Sequence, residues 1–216
     1  YGEKICVLNK KSTDLTVGAD LPQKADLIIS EVLSAEFVGE GVRSTILDAN
    51  KRLLKKGGEM IPQSGKIRIS LLGNSPEVFN TTSVANVHGF DLSKFNLVSK
   101  NKFSLHLRKK PVFLSNPEDA FSINLCDESP LAAEQKIIKL QANQDGLCLG
   151  LIQWMWVHIY KNIEYENRPG EVDSHWPTPI YLFEEPIDLK KGDIVEVRAF
   201  LGEDSVWFYK KATNLL

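Results

Sequence analysis

The chain has 216 residues, 43% hydrophobic and 25% charged, with a formal net charge of -2 and an isoelectric point near 6.1. That is the make-up of an ordinary soluble globular protein of one large or two small domains, without a global field to draw nucleic acid or an anionic membrane, so neither is expected as a direct partner. Cys6, Cys126 and Cys148 are odd in number, widely spaced and outside any Cys/His cluster, which argues against a disulfide framework and a zinc site and makes a reducing cytoplasm the default location.

Residues 1–61 read as α/β. "KICVL" (4–8) and "ADLIIS" (25–30) are short apolar runs of the kind a buried parallel strand gives. No run approaches the roughly 20 residues of a spanning helix, and the polar opening "YGEKICVLNKKST" is not expected to be a signal peptide. From Glu40 the period changes: Val42, Ile46, Ala49 and Leu53 fall on one helical face, and "KKGG" supplies cations and glycines for a helix stop. After Pro62 the alternation becomes β-like. Eight candidate strands follow, "GKIRISLL", "FSLHLR", "FSINL", "KIIKLQA", "LIQWMWVHIY", "PIYLF", "DIVEVRAF" and "SVWFYK", separated by turn formers. They predict an antiparallel sandwich or barrel. The long insertion at about 73–102 is too long for a hairpin, and such insertions are usually functional or interfacial.

Three stretches carry polar residues suited to chemistry. "SEVLSAEFVGEG" (30–41) places Glu31 after a strand end and Glu40 before a helix, nine residues apart, with Glu36 between them. Surface carboxylates and a favourable charge at the helix N-terminus would explain them blandly. Against that, the intervening residues are small and apolar, and two carboxylates converging in a half-buried loop repel unless a cation lies between them. A planar guanidinium, with five donors, is such a cation. "DSHWPTPIYLFEEP" (173–186) puts His175 and Trp176 in a loop just ahead of a proline; a histidine beside a tryptophan is more often packed than catalytic. "LNKKSTDLTVG" could contact a nucleotide-like ligand or be a plain loop. Neither GxGxxG nor GxxxxGK[ST] occurs, and His88, His106 and His158 lack metal-ligand spacing, so they read as structural and no metal is expected.

In this order the pieces resemble the protein arginine N-methyltransferases. That family joins a Rossmann-like domain binding S-adenosyl-L-methionine (AdoMet) to a β-barrel, with a double-E loop of two glutamates nine apart and a Thr-His-Trp loop. Ser30, Glu31 and Glu40 match the first motif, and Ser174-His175-Trp176 departs from the second by Ser for Thr. "NVHGFDLS" (86–93) looks like part of the arm through which these enzymes dimerise. "LNKKSTDLTVG", "GEG" and "HWPTPIYLFEEP" look most like the monomethylating (type III) branch.

The resemblance implies an α+β fold: the C-terminal part of a Rossmann-like methyltransferase domain at 1–61, then a substrate-binding β-barrel at 62–216 with an inserted dimerisation arm. It implies Glu31, Glu40 and His175 as catalytic, Glu31, Glu40 and Trp176 as substrate-binding, and Lys11, Ser12 and Thr13 on the adenine side of the cofactor. Glu36 is expected to be a bystander. AdoMet is the implied cosubstrate, with most of its site expected ahead of Tyr1 and the isolated chain expected to be inactive. An arginine-containing protein is the implied substrate, a homodimer or pseudo-dimer the implied assembly, and cytoplasm, or nucleus in a eukaryote, the implied compartment. Two rival readings are a two-carboxylate glycoside hydrolase, which needs an aromatic sugar cleft, and a non-catalytic interaction module derived from the same family.

Overall fold

The computed structural model describes residues 4–129, 132–171 and 174–211. "ADLII" forms β1 (Ala25–Ile29) and the amphipathic stretch forms α1 (Val42–Arg52). β1 runs parallel to β2 (Leu54–Ile61), as a strand-helix-strand crossover requires. Three local expectations fail. "KICVL" is not a strand: residues 5–9 have no regular structure, and Ile5 and Val7 are 66% and 87% exposed, because no described strand lies alongside to complete a ladder. The helix begins at Val42 rather than Glu40, since Glu40 and Gly41 adopt left-handed φ of 65° and 71°. "KKGG" does not stop the helix. It lies inside β2, where Gly57, at φ 79°, falls at the break in register between Ala25 and Leu27 of β1.

After Pro62 the chain is mostly sheet. β3 (Ser64–Gly73) leads into the insertion, which holds α2 (Pro76–Thr82), a hairpin of β4 (Asn86–Val87) and β5 (Phe90–Asp91), and a 3-10 turn at Ser93–Val98. The main sheet also contains β6 (Lys102–Leu105), β7 (Glu118–Asn124), β9 (Gly146–Tyr160), β10 (Ile163–Glu166) and β11 (Thr178–Leu189). Its order is β6-β11-β9-β3-β7, with β10 on β9. A second sheet, in the order β13-β12-β8, is made of β8 (Glu134–Gln141), β12 (Ile194–Leu201) and β13 (Val206–Lys210). All pairings in these two sheets are antiparallel, and every one of the eight expected strands is present.

The two sheets share one core, and the N-terminal unit is built onto it. Phe37, Val42, Ile46 and Met60 belong to the same buried cluster as Ile67, Phe121, Val197 and Phe208. Polar groups on α1 complete the junction. The Asn50 amide donates to the Leu125 carbonyl at 2.7 Å, and the Arg43 guanidinium donates to the Gly202 and Ala132 carbonyls. Arg43 is 6% exposed; burial lowers its pKa from the usual value, against the opposing pull of Glu203 and Asp204. No helix among the described residues is long and apolar enough to cross a membrane.

Candidate active site

The loop carrying the glutamates is fixed from its middle. β1 ends with the Ser30 amide donating to Ile61 O at 2.9 Å. Ser34 then folds the chain back, its Oγ accepting from the amides of Glu36 at 3.2 Å and Gly39 at 2.9 Å. Phe37, at φ 73°, and Val38 are fully buried. The Phe37 ring fits only because residue 65 on β3 is glycine: a Cβ there would lie 2.2 Å from it. Phe37 is thereby withheld from the surface beside the acids.

The loop thereby divides its three carboxylates into two kinds. Glu36 is drawn inward, pairing with Lys102 Nζ at 2.6 Å and accepting from the Val206 amide at 3.4 Å. Lys102 in turn lies 4.4 Å from the centre of the Trp207 ring and donates to Val206 O at 3.0 Å. Glu31 and Glu40 are exposed, and among the described residues neither forms an ion pair. Of the three carboxylates on this loop, Glu36 alone is paired with a protein cation among the described residues. Glu36 binds the loop to the sheets, a role its bystander reading did not contain.

The Ser-His-Trp loop reaches the same place. The Trp176 indole N–H donates to the Leu33 carbonyl at 3.1 Å, two residues beyond Glu31. The Trp176 amide and the Tyr165 hydroxyl both donate to Ser174 Oγ at 3.3 Å, so Ser can do here the holding that the family's Thr would do. The His175 ring lies 4.0 Å from that of Trp176, centre to centre, and is exposed. Asp173, just ahead of this loop, lies outside the described residues. The loop that carries the glutamates and the Trp176 loop are thus joined through Leu33.

Lys11, Ser12 and Thr13 go elsewhere. The Ser12 and Thr13 carbonyls accept from Arg52 at 3.1 and 3.0 Å, which ties them to the C-terminal end of α1, whereas Glu40 precedes its N-terminal end. Eleven helical residues span about 16 Å. These carbonyls are thus held at the opposite end of α1 from Glu40. Among the described residues there is no group of three or more His, Cys, Asp or Glu that could hold a metal. Lys102 and Asp204 carry no motif and were invisible to sequence reading.

No protein-family model matches the chain, but individual relatives do. It is 29% identical to an arginine N(omega)-methyltransferase of Streptomyces achromogenes subsp. streptozoticus over 90% of its length, and 26% identical to protein arginine N-methyltransferase 2 of Xenopus tropicalis over 87%. Protein arginine N-methyltransferase 7 of Gallus gallus is 23% identical over 96%. The chain spans 54%, 46% and 34% of these relatives' own lengths. Its fold resembles that of the Trypanosoma brucei PRMT1 enzyme-prozyme heterotetrameric complex with AdoHcy, with a TM-score of 0.71, 17% identity, and coverage of 89% of this chain and 67% of that one. The fold is that of this structural neighbour, and the relatives, at 23–29% identity, are arginine methyltransferases, the family that the chain resembles.

Proposed function

We propose that this chain forms the acceptor side of the active site of a protein arginine N-methyltransferase, possessing the guanidinium clamp of an enzyme that methylates arginine in proteins. The observation that carries the proposal is the division of acids on one anchored loop: Glu36 paired with Lys102, Glu31 and Glu40 free to take a cation. The residues on either side of Pro62 act as two domains, 1–61 presenting the clamp and 62–216 presenting the protein substrate. In the whole enzyme the methyl donor is AdoMet, held largely outside the described residues; it supplies an electrophilic methyl group. That choice is supported by the structural neighbour, which is a complex with AdoHcy.

The task of the clamp follows from arginine itself. A guanidinium stays protonated with a pKa above about 12, so its nitrogens are poor nucleophiles. Glu31 and Glu40 accept hydrogen bonds from it, draw positive charge toward the nitrogens they touch, and leave the remaining terminal nitrogen oriented for attack. Glu40 is the proton acceptor as charge develops. Trp176, bonded to the loop through Leu33, walls the pocket, and His175 stands at its rim to order the loop or relay the proton. The likeness of "LNKKSTDLTVG", "GEG" and "HWPTPIYLFEEP" to the monomethylating branch favours monomethylarginine as the product. The insertion, with Phe79, Phe90, Phe95 and Leu97 all more than 60% exposed, is the dimerisation arm.

In the full-length protein, Glu31→Gln and Glu40→Gln should each lower turnover on an arginine peptide by a factor on the order of 10² or more, as losing a preorganised electrostatic partner does, with donor affinity nearly unchanged. Radiolabelled methyl transfer and a calorimetric donor titration measure the two quantities. Methylation near the wild-type rate by both variants would overturn the assignment.

A further inference from the structure

We propose that Asp204, in the turn between β12 and β13, is a positioning residue for Glu40, acting through the backbone amide that follows the glutamate. The inference rests on the reading of Glu40 as half of the guanidinium clamp.

Two successive residues, Glu40 and Gly41, are left-handed, with φ of 65° and 71°. For glutamate that conformation is strained and persists only where the surroundings enforce it. The loop does not enforce it alone. Gly41 is the N-cap of α1 and carries no side chain to cap the helix. Its own amide donates instead to Asp204 Oδ1 at 3.0 Å, across 163 positions of sequence.

The same turn grips the loop on both sides of that bond. Gly202 O accepts from the guanidinium of Arg43, the second residue of α1, and the Val206 amide donates to Glu36. Gly39 is close-packed as well: a Cβ there would lie 2.8 Å from Ser34 Oγ and 3.9 Å from Asp204 O. Three hydrogen bonds from five consecutive residues, 202–206, therefore bracket Glu40. Its carboxylate is aimed by the second sheet, and the sheets that receive the substrate also set the geometry of the acid.

The test compares Asp204→Ala and Asp204→Asn in the full-length enzyme. Alanine removes the acceptor, and asparagine retains one oxygen at the same reach. With Asp204→Ala, kcat should fall about 10- to 100-fold, the scale of a misplacement near 1 Å, while KM for the peptide and Kd for AdoMet stay within about twofold. Asp204→Asn should recover kcat to within about threefold of wild type, and hydrogen exchange at the Gly41 amide should accelerate in the alanine variant alone. If Asp204→Ala does not fold, Asp204→Ser, whose acceptor falls one bond short, takes its place with the same loss expected. An alanine or serine variant with wild-type kcat, or an asparagine variant no better than alanine, overturns the proposal. Glu40→Gln run in parallel separates the two readings: if it is active, the clamp is wrong, whereas an inactive Glu40→Gln with an indifferent Asp204 defeats only the positioning role.

Discussion

Gly65 and Phe37 show how a catalytic loop can depend on a residue with no chemistry. Phe37 is fully buried against the backbone of β3, and a methyl group on residue 65 would lie 2.2 and 2.4 Å from its ring carbons. Gly65→Ala should therefore destabilise the protein by about 1–3 kcal/mol, the usual cost of overpacking, seen as a lower urea midpoint with an unchanged slope. An unchanged midpoint would mean that Phe37 can leave its seat freely, and that the loop is not anchored there. The proposed clamp could be read in sequence because its signal is local: acids nine apart among small apolar residues, and a His-Trp pair ahead of a proline. Its supports could not. Lys102, Gly65 and Asp204 lie from 25 to 164 positions beyond Glu40 and carry no motif; only folding brings them to the loop.

At the level of elements, segments such as β12 were readable because alternate residues are buried, which stamps a period of two on the sequence, whereas β9 is buried continuously from Cys148 to Met155 and reads as an apolar run. The failures came from stretches whose residues fit two structures. "KICVL" has the composition of a strand without a described neighbour to pair with, and "KKGG" reads as a helix stop although its glycines serve a bulge, where a Cβ on Gly58 would lie 3.0 Å from Asp26 O. The insertion was legible as an insertion by its length, though its internal helix and hairpin were not. Leu97 and Val98 end its 3-10 turn 85% and 80% exposed, more apolar surface than an isolated arm should offer. Leu97→Asp in the full-length protein should shift its sedimentation from dimer toward monomer by at least tenfold in dissociation constant. An unchanged sedimentation profile would show that the arm does not make the dimer.

Across the whole molecule, ionisable groups whose folded pKa departs from the unfolded value set a window of stability. Burial alone would raise the pKa of Asp119, but Lys66 at 2.5 Å and Arg68 at 2.8 Å hold it below the usual carboxylate range, and Arg52 does the same for Asp48. For an acid with a depressed folded pKa, the stabilisation is complete above the unfolded value near 4 and is lost as pH falls through the folded one. The alkaline side has the opposite origin. Burial pushes the Cys148 thiol up to about 11 from its ordinary value near 9.0, and burial, followed by the Glu36 charge, pushes the Tyr181 phenol well above its usual range. Each stays protonated in the fold after the unfolded chain has ionised, so the unfolded state is increasingly favoured as pH rises beyond about 9. Stability should therefore be level from about pH 5 to 8.5 and decline on both sides. Cys148 alone should account for about 2 kcal/mol by pH 11, since one pKa unit corresponds to about 1.4 kcal/mol. Urea midpoints between pH 3 and 11 measure the curve. Cys148→Ala should be less stable at neutral pH because it leaves a small cavity, yet lose less between pH 9 and 11 than the wild type does. Parallel alkaline limbs for the two proteins would show that the thiol is not held neutral by the core.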